Sequence, residues 1–189
     1  MKDTYKHISL TLKTLRHDRG WSLDKAAEET GVSKAMLGQI ERQESSPTIA
    51  TLWKIASGFQ TSFSSFIEDI QSDFQAPIHR SGETKHIHPH DDKIRVMPLF
   101  PFDKELNFEI FTIELLPGCE HLSPPHKHGV IEHVIVLEGK MDVFIDGHWQ
   151  PLNKREGIRF NADQPHGYRN TTKVTACFND IIHYSHPHK

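Results

Sequence analysis

Ser22-Leu-Asp-Lys-Ala-Ala-Glu-Glu-Thr-Gly-Val-Ser-Lys-Ala-Met-Leu-Gly-Gln-Ile-Glu-Arg42 is the stretch whose reading decides the fold. It reads as two short helices joined by a tight turn. Ser22 and Ser33 each stand directly before a run of helix formers, where a hydroxyl can accept from a free first-turn amide. Gly31 follows Thr30 at the point where a helix must stop and the backbone must turn through positive φ. Ala27, four residues earlier, is small enough to let the second helix cross close over the first. Leu37 and Ile40, three apart, form the buried stripe of the second helix. Lys34, Ala35, Gln39 and Arg42 are then left facing outward, and short and amide side chains on a helix suit a DNA major groove.

The flanks extend the pattern. Leu12-x2-Leu15-Arg16-x2-Arg19-Gly20-Trp21 reads as a first helix over residues 9–19, with Ile8, Leu12 and Leu15 inward and residues 1–7 as a frayed tail. Ile40-Glu41-Arg42 leads through Ser46-Pro47-Thr48 to Leu52-x2-Ile55-Ala56, a fourth helix capped by Thr48. Ser62-x3-Phe66 would begin a fifth. In this order, over about residues 8–66, the chain resembles the phage-repressor-like helix-turn-helix proteins of the XRE or HTH-3 family. The resemblance implies a five-helix, lambda-repressor-like DNA-binding domain. The bland alternative is an αα-hairpin packed inside an enzyme.

The 189 residues, 36% of them hydrophobic, can hold two modest cores. No apolar run is long enough to span a membrane, the polar start is no signal peptide, and Cys119 and Cys177 have no reason to pair. A cytoplasmic protein without membrane association is therefore expected. The net charge of -3 argues against a nucleic-acid binder until its distribution is seen. Residues 1–66 hold 9 Lys or Arg against 7 Asp or Glu, a balance of +2; residues 67–189 hold 13 against 18, a balance of -5. The weakly basic half is the one with the helix-turn-helix pattern, so affinity must come from local placement and from two copies binding together.

Pro77, Ser81-Gly82 and Pro89 break the chain between the halves. The expected organisation is residues 1–70 as a helical domain, 71–92 as a linker and 93–189 as a second domain. From Lys93 the period changes to two. Ile94-x-Val96, Phe108-x-Ile110-x-Thr112, Val134-x-Val136 and Met141-x-Val143-x-Ile145 read as strands, and Asp146-Gly147 as a hairpin turn. Further strands are expected near 157–161, 167–171 and 174–184. Many short strands with Gly, Pro and Asn turns suggest a closed antiparallel sandwich or barrel.

Most of the fifteen histidines fall in this second half. Gly118-x7-His126-x-His128-x3-Glu132-x6-Gly139, then Gly157-x7-Pro165-His166-x3-Asn170, resemble the two sequence boxes of the cupin superfamily. The first box has two residues more than the usual gap before its histidine. In the second the histidine directly follows the proline, as in the cupin halves of many regulators. The resemblance implies a double-stranded β-helix, or jelly roll, with His126, His128, Glu132 and His166 as metal ligands. Residue chemistry agrees with it. His126 and His128 would share a face if the strand is extended, and three imidazoles with one carboxylate suit a divalent transition metal: zinc in purified protein, or iron, manganese or nickel. A barrel holding only water, or histidines hydrogen-bonded in a core, are the competing readings.

Other signals have plainer readings. His86, His88 and His90, with Asp91 and Asp92, alternate in the linker and read as a solvated segment. His183, His186 and His188 are treated likewise. His133 should point away from an interior that Glu132 points into. Tyr168 shares a strand face with His166 and Asn170 and either lines an effector pocket or packs in the core.

Together these features point to a one-component transcription regulator rather than an enzyme. Residues 33–42 would form the recognition helix, with Lys34, Ala35, Met36 and Gln39 at base edges. The capped helix starts near Ser22 and Thr48, with Arg19 and Arg42, would hold phosphates, and Ser33, at the start of the recognition helix, is counted among the DNA-binding residues. A homodimer on an inverted repeat of double-stranded DNA is expected, because one such module buries little surface. Ser33-Lys-Ala-Met-Leu-Gly-Gln-Ile-Glu-Arg42 and Glu44-Ser-Ser-Pro47 are similar to regulators of sulfur utilisation in enteric bacteria. That similarity implies a sulfur-containing amino acid or related metabolite as the small-molecule effector. The competing expectations are a metal-dependent cupin enzyme of dioxygenase or isomerase type, and a regulator that responds to metal alone.

Overall fold

The computed structural model describes residues 2–67 and 93–184. The chain divides into two compact units, Met1–Pro77 and Ile78–Lys189. The linker cluster His86, His88, His90, Asp91 and Asp92, with His186 and His188, lies outside the described residues.

The first unit contains α1 (Lys2–Asp18), α2 (Leu23–Thr30), α3 (Lys34–Glu41) and α4 (Ile49–Gly58), then a single 3-10 turn at Ser64–Phe66. Two expectations change here. Helix α1 begins seven residues before the expected start, so the segment read as a frayed tail is helical. The expected fifth helix is only that one turn, held by backbone bonds from Phe66 to Phe63 and from Ile67 to Ser64.

Local chemistry sets the helix ends. Ser22, Ser33 and Thr48 each accept a hydrogen bond from the backbone amide three residues on, at Lys25, Met36 and Thr51. Gly31 stops α2 with φ 65°, its amide donating to the Ala27 carbonyl. Ile8, Leu12, Leu37, Ile40, Leu52, Ile55, Phe59 and Phe63 are all 2% exposed or less and form the core. Trp53 stacks on Phe63 at 4.2 Å between ring centroids. A bidentate pair ties α1 to α3: Arg16 donates through Nε to Glu41 Oε1 at 2.6 Å and through a terminal nitrogen to Oε2 at 2.9 Å. The fully buried alanine of α2 is Ala26, not Ala27, and a close approach of two helices lies at Gly58. A Cβ at Gly58 would sit 2.6 Å from the Glu29 carbonyl oxygen and from Thr30 Cα. The glycine is what lets α4 lie against the end of α2.

The second unit is antiparallel throughout its described pairings. Its strands are β1 (Ile94–Asp103), β2 (Phe108–Leu115), β3 (Glu120–Ser123), β4 (Ile131–Glu138), β5 (Lys140–Ile145), β6 (His148–Asn153), β7 (Gly157–Asn161), β8 (His166–Arg169) and β9 (Ala176–His183). They form two sheets, β1-β2-β9-β4-β7 and β3-β8-β5-β6. The β5–β6 hairpin turns through Asp146 and Gly147, both at positive φ, as the sequence predicted. Phe111, Val134, Val136 and Phe178 from the first sheet and Met141, Val143 and Tyr168 from the second fill the interior. Tyr168 and Phe178 meet across it with ring centroids 5.1 Å apart. On β2 the inward residues are Glu109, Phe111, Ile113 and Leu115 rather than the apolar set Phe108 and Ile110. The fold is α then β: a helix-turn-helix unit followed by a cupin jelly roll.

Candidate metal centre and nucleic-acid interface

Strand alternation puts Glu132, second residue of β4, and His166, first residue of β8, inside the jelly roll, both 1% exposed. His126 arrives from the segment between β3 and β4, pinned by its backbone amide to the Ala162 carbonyl at 2.8 Å, and is 8% exposed. The three converge. Glu132 Oε1 lies 2.9 Å from His126 Nε2 and 3.5 Å from His166 Nε2, and the imidazoles meet edge to face at 4.9 Å. His166 Nδ1 donates to the Gln164 carbonyl at 2.9 Å, so in the neutral ring Nε2 is a bare lone pair. That nitrogen makes no hydrogen bond among the described residues. The Tyr168 hydroxyl donates to Glu132 Oε2 and leaves Oε1 aimed at the histidines.

A buried lone pair facing a carboxylate oxygen is two acceptors without a cation. The donor set, its burial and the orphaned Nε2 therefore fit a divalent ion. Electrostatics point the same way. Burial holds the His166 imidazole below its ordinary pKa, against the opposing pull of Glu132. Burial also pushes Glu132 up, but the charge of His166, with the hydrogen bonds from His126 and Tyr168, carries it below the usual carboxylate range. An imidazole kept from protonation by burial and an ionised carboxylate are forms that ligate a metal.

His128 is a correction. It was expected as a fourth donor on the face of His126, but its side chain is 99% exposed, with Nδ1 2.8 Å from Asp163. The same-face argument requires an extended strand, and residues 124–130 form a loop whose turn begins at His128. What remains is two histidines and one carboxylate. His121 is 7% exposed and lies directly opposite Tyr168 in the β3–β8 register.

In the first unit, α3 buries Leu37, Gly38 and Ile40 and exposes Lys34, Ala35 and Gln39, with Met36 half-buried. Lys34 Nζ pairs with Asp24 at 2.8 Å and Arg42 with Glu44 at 2.7 Å, both on the surface. Arg19 is turned back onto its own unit. It donates to the Phe59 carbonyl and lies 5.5 Å and 5.3 Å from the ring centroids of Trp21 and Phe59. No helix among the described residues is long and apolar enough to cross a membrane.

Comparison with known proteins follows these two halves. A helix-turn-helix family matches residues 12–66 and a cupin-domain family matches residues 111–182. The chain is 49% identical over 185 residues to the HTH-type transcriptional regulator SutR of Escherichia coli (strain K12), covering 97% of this chain and 98% of that protein. It is also 49% identical, with a TM-score of 0.86, to a crystal structure of an HTH_3 family transcriptional regulator from Vibrio cholerae, covering 96% and 97% of the two chains. The cupin domain of an XRE family regulator from Enterobacter cloacae is 45% identical over 50% of this chain, with a TM-score of 0.49. The chain belongs to the HTH_3 family of helix-turn-helix transcriptional regulators and carries a cupin domain behind its DNA-binding fold.

Proposed function

We propose that this protein is a one-component regulator in which residues 1–70 bind an operator and residues 93–189, joined by 71–92, sense a metal-dependent small molecule. The observation that carries the reading is the division of α3 into a buried face, Leu37 and Ile40, and an exposed face, Lys34, Ala35 and Gln39. Gln39 can read adenine through two hydrogen bonds, Lys34 can reach guanine acceptors, and Ala35 and Met36 suit a thymine methyl. The ion pairs of Lys34 and Arg42 are exposed and so worth little, which leaves both cations available to DNA. The capped starts of α2 and α4 at Ser22 and Thr48 offer amides to phosphates. Two copies on an inverted repeat supply the interface that one unit is too small to provide.

In the cupin unit His126, Glu132 and His166 hold a divalent transition ion, with Tyr168 positioning Glu132. Such an ion, when bound, supplies a point of attachment for a carboxylate, amine or sulfur. The effector is a small metabolite, with sulfur-containing amino acids the first to try. It changes operator affinity only by the ratio of its affinities for the DNA-bound and free forms. The deciding experiment is operator binding by fluorescence anisotropy, with zinc-loaded, chelated and metabolite-supplemented protein side by side. A change with metabolite on loaded protein supports the effector reading, and a change with chelator alone supports a metal switch. Absence of any sequence-preferring DNA binding removes the regulator reading.

A second reading has its own observation. Without His128 the donor set is two histidines and a carboxylate, the set used by non-haem iron(II) oxygenases. Turnover on addition of iron(II) and oxygen supports it; iron loading without oxygen consumption by any candidate substrate counts against it.

A further inference from the structure

Helix α3 ends in a turn that folds back over its own exposed face. Gln43 sits at positive φ, 61°, its amide donating to the Ile40 carbonyl at 3.0 Å, and the Glu44 amide donates to the Gln39 carbonyl at 2.8 Å. That pair of bonds is the left-handed closure usually given to glycine, and it fixes where the Glu44 backbone stands relative to α3. From there the Glu44 carboxylate meets Arg42 with both oxygens. Arg42 Nε donates to Oε1 at 2.9 Å and Nη2 to Oε2 at 2.7 Å. Hydrogen bonding to Arg42 holds the Glu44 carboxyl below its ordinary range, so the fork is fully charged at neutral pH.

These side chains are two residues apart and 58% and 54% exposed, so they tie no two elements together, and an exposed pair adds little to folding. What the fork does is orient a guanidinium. An arginine head carries five N–H donors in one plane. Glu44 takes those along the Nε–Nη2 edge, and the Nη1–Nη2 edge has no partner among the described residues. The head also lies against the bare backbone of Gly38, where a Cβ would stand 3.1 Å from Nη1 and 3.9 Å from Cζ. An arginine held by one edge and backed by a glycine one turn earlier presents its other edge in a set direction. That edge matches two adjacent acceptors, such as two oxygens of a phosphate or O6 and N7 of guanine. By repulsion alone, a carboxylate beside the recognition helix would only weaken DNA binding.

We propose that Glu44 is a positioning residue for operator binding: it does not itself bond to DNA but holds the Arg42 guanidinium so that the free edge takes a pair of acceptors on the duplex. This rests on the reading of residues 1–70 as the operator-binding half, and the test separates the two.

The experiment is fluorescence anisotropy on the full-length protein at about 0.2 M salt, where exposed charges more than about 8 Å apart are largely screened. The probes are a duplex enriched by the wild-type protein from a random-sequence library and a scrambled duplex of the same composition. Glu44→Gln is expected to bind the enriched duplex about three- to tenfold more weakly, the cost of ordering one long side chain that is no longer held. In an Arg42→Ala background the same change is expected to cost nothing, because there is no head to hold. Every variant should melt with the wild type; Glu44→Ala, which removes the fork outright, repeats the comparison if Glu44→Gln does not fold. Equal or tighter binding by Glu44→Gln means that the carboxylate acts by repulsion alone and overturns the proposal. A loss of the same size without Arg42 overturns it too. A loss that is the same for every single-base variant of the enriched duplex assigns the free edge to phosphate, and one that depends on the base at one position assigns it to guanine; either supports positioning. Wild-type protein that binds both duplexes alike removes the regulator reading, while the comparison of Glu44→Gln with it still decides the role of Glu44.

Discussion

Replacing Gly58 with alanine should both destabilise the helical unit and disturb the helix pair that presents α3. Gly58 is the last residue of α4 and its φ is not positive, so alanine meets no backbone strain there. What it meets is α2. The new methyl carbon would lie 2.6 Å from Glu29 O, 2.6 Å from Thr30 Cα and 2.7 Å from Thr30 Cγ2, where ordinary contact begins at 3.4 Å. Two of those atoms are backbone at the end of a capped helix, so relief requires the helices to part by most of the missing 0.8 Å. Overpacking of this kind costs about 3 kcal/mol at its upper range. The gain in helix propensity is at most about 1 kcal/mol and is smaller at a terminus. The net loss is about 2 kcal/mol, or roughly 8–16 °C in the melting temperature of a unit this size. Gly38→Ala is the internal control. Its methyl would meet Arg42 Nη1 at 3.1 Å and Leu23 Cδ1 at 3.7 Å, and the exposed arginine can move. That variant should melt at the same temperature or higher. Thermal unfolding followed by helix signal, with operator affinity measured below the transition, reads both effects. Gly58→Ala melting at or above the wild type would refute the close-approach argument.

Four further outcomes are expected. Gln39→Ala should relax preference at one base position per half-site by about 1–3 kcal/mol of discrimination; an equal loss on every sequence would show that Gln39 is not a reader. Arg42→Glu should weaken binding to all sites and lower the slope of affinity against salt by about one, and an unchanged slope would remove Arg42 from the phosphate contacts. His126→Ala or His166→Ala should abolish tight zinc binding while His128→Ala leaves it within a few-fold, as calorimetry with zinc alone can establish; equal losses at all three would restore His128 to the site. The fourth concerns pH. The Asp180 carboxyl is raised in the folded state by burial and by Glu132 and Glu109, so its contribution to stability is present below the unfolded pKa and is lost as pH rises toward the folded one. Asp180→Asn removes that loss. The unfolding free energy of metal-free variant minus that of metal-free wild type should therefore grow between pH 5 and pH 8, by at most about 1.4 kcal/mol per pH unit for one proton. A difference constant with pH would place the Asp180 shift elsewhere.

The parts of this protein legible in its sequence are those set by neighbours in the chain. Helix caps at Ser22, Ser33 and Thr48, the left-handed Gly31 and the Asp146-Gly147 turn depend on a few consecutive residues, and each formed where expected. The exposed and buried faces of α3 followed from a 3.6-residue period, and β1, β2, β4 and β5 from a period of two. The errors share a cause. His128 was placed by strand periodicity in a segment that turns, and α1 was begun too late because its first turns show no strong apolar pattern.

Residue order alone therefore determined the two folds and their sequence along the chain, because these depend on local geometry and on hydrophobic period. Only the tertiary structure decided the rest. It joined Arg16 to Glu41, 25 residues apart, and brought Gly58 against Thr30. It set His126, Glu132 and His166 around one point and turned Glu109 and Asp180 into the same interior. The register between distant strands makes those meetings, and register is settled by packing across the whole sheet rather than by any stretch within it.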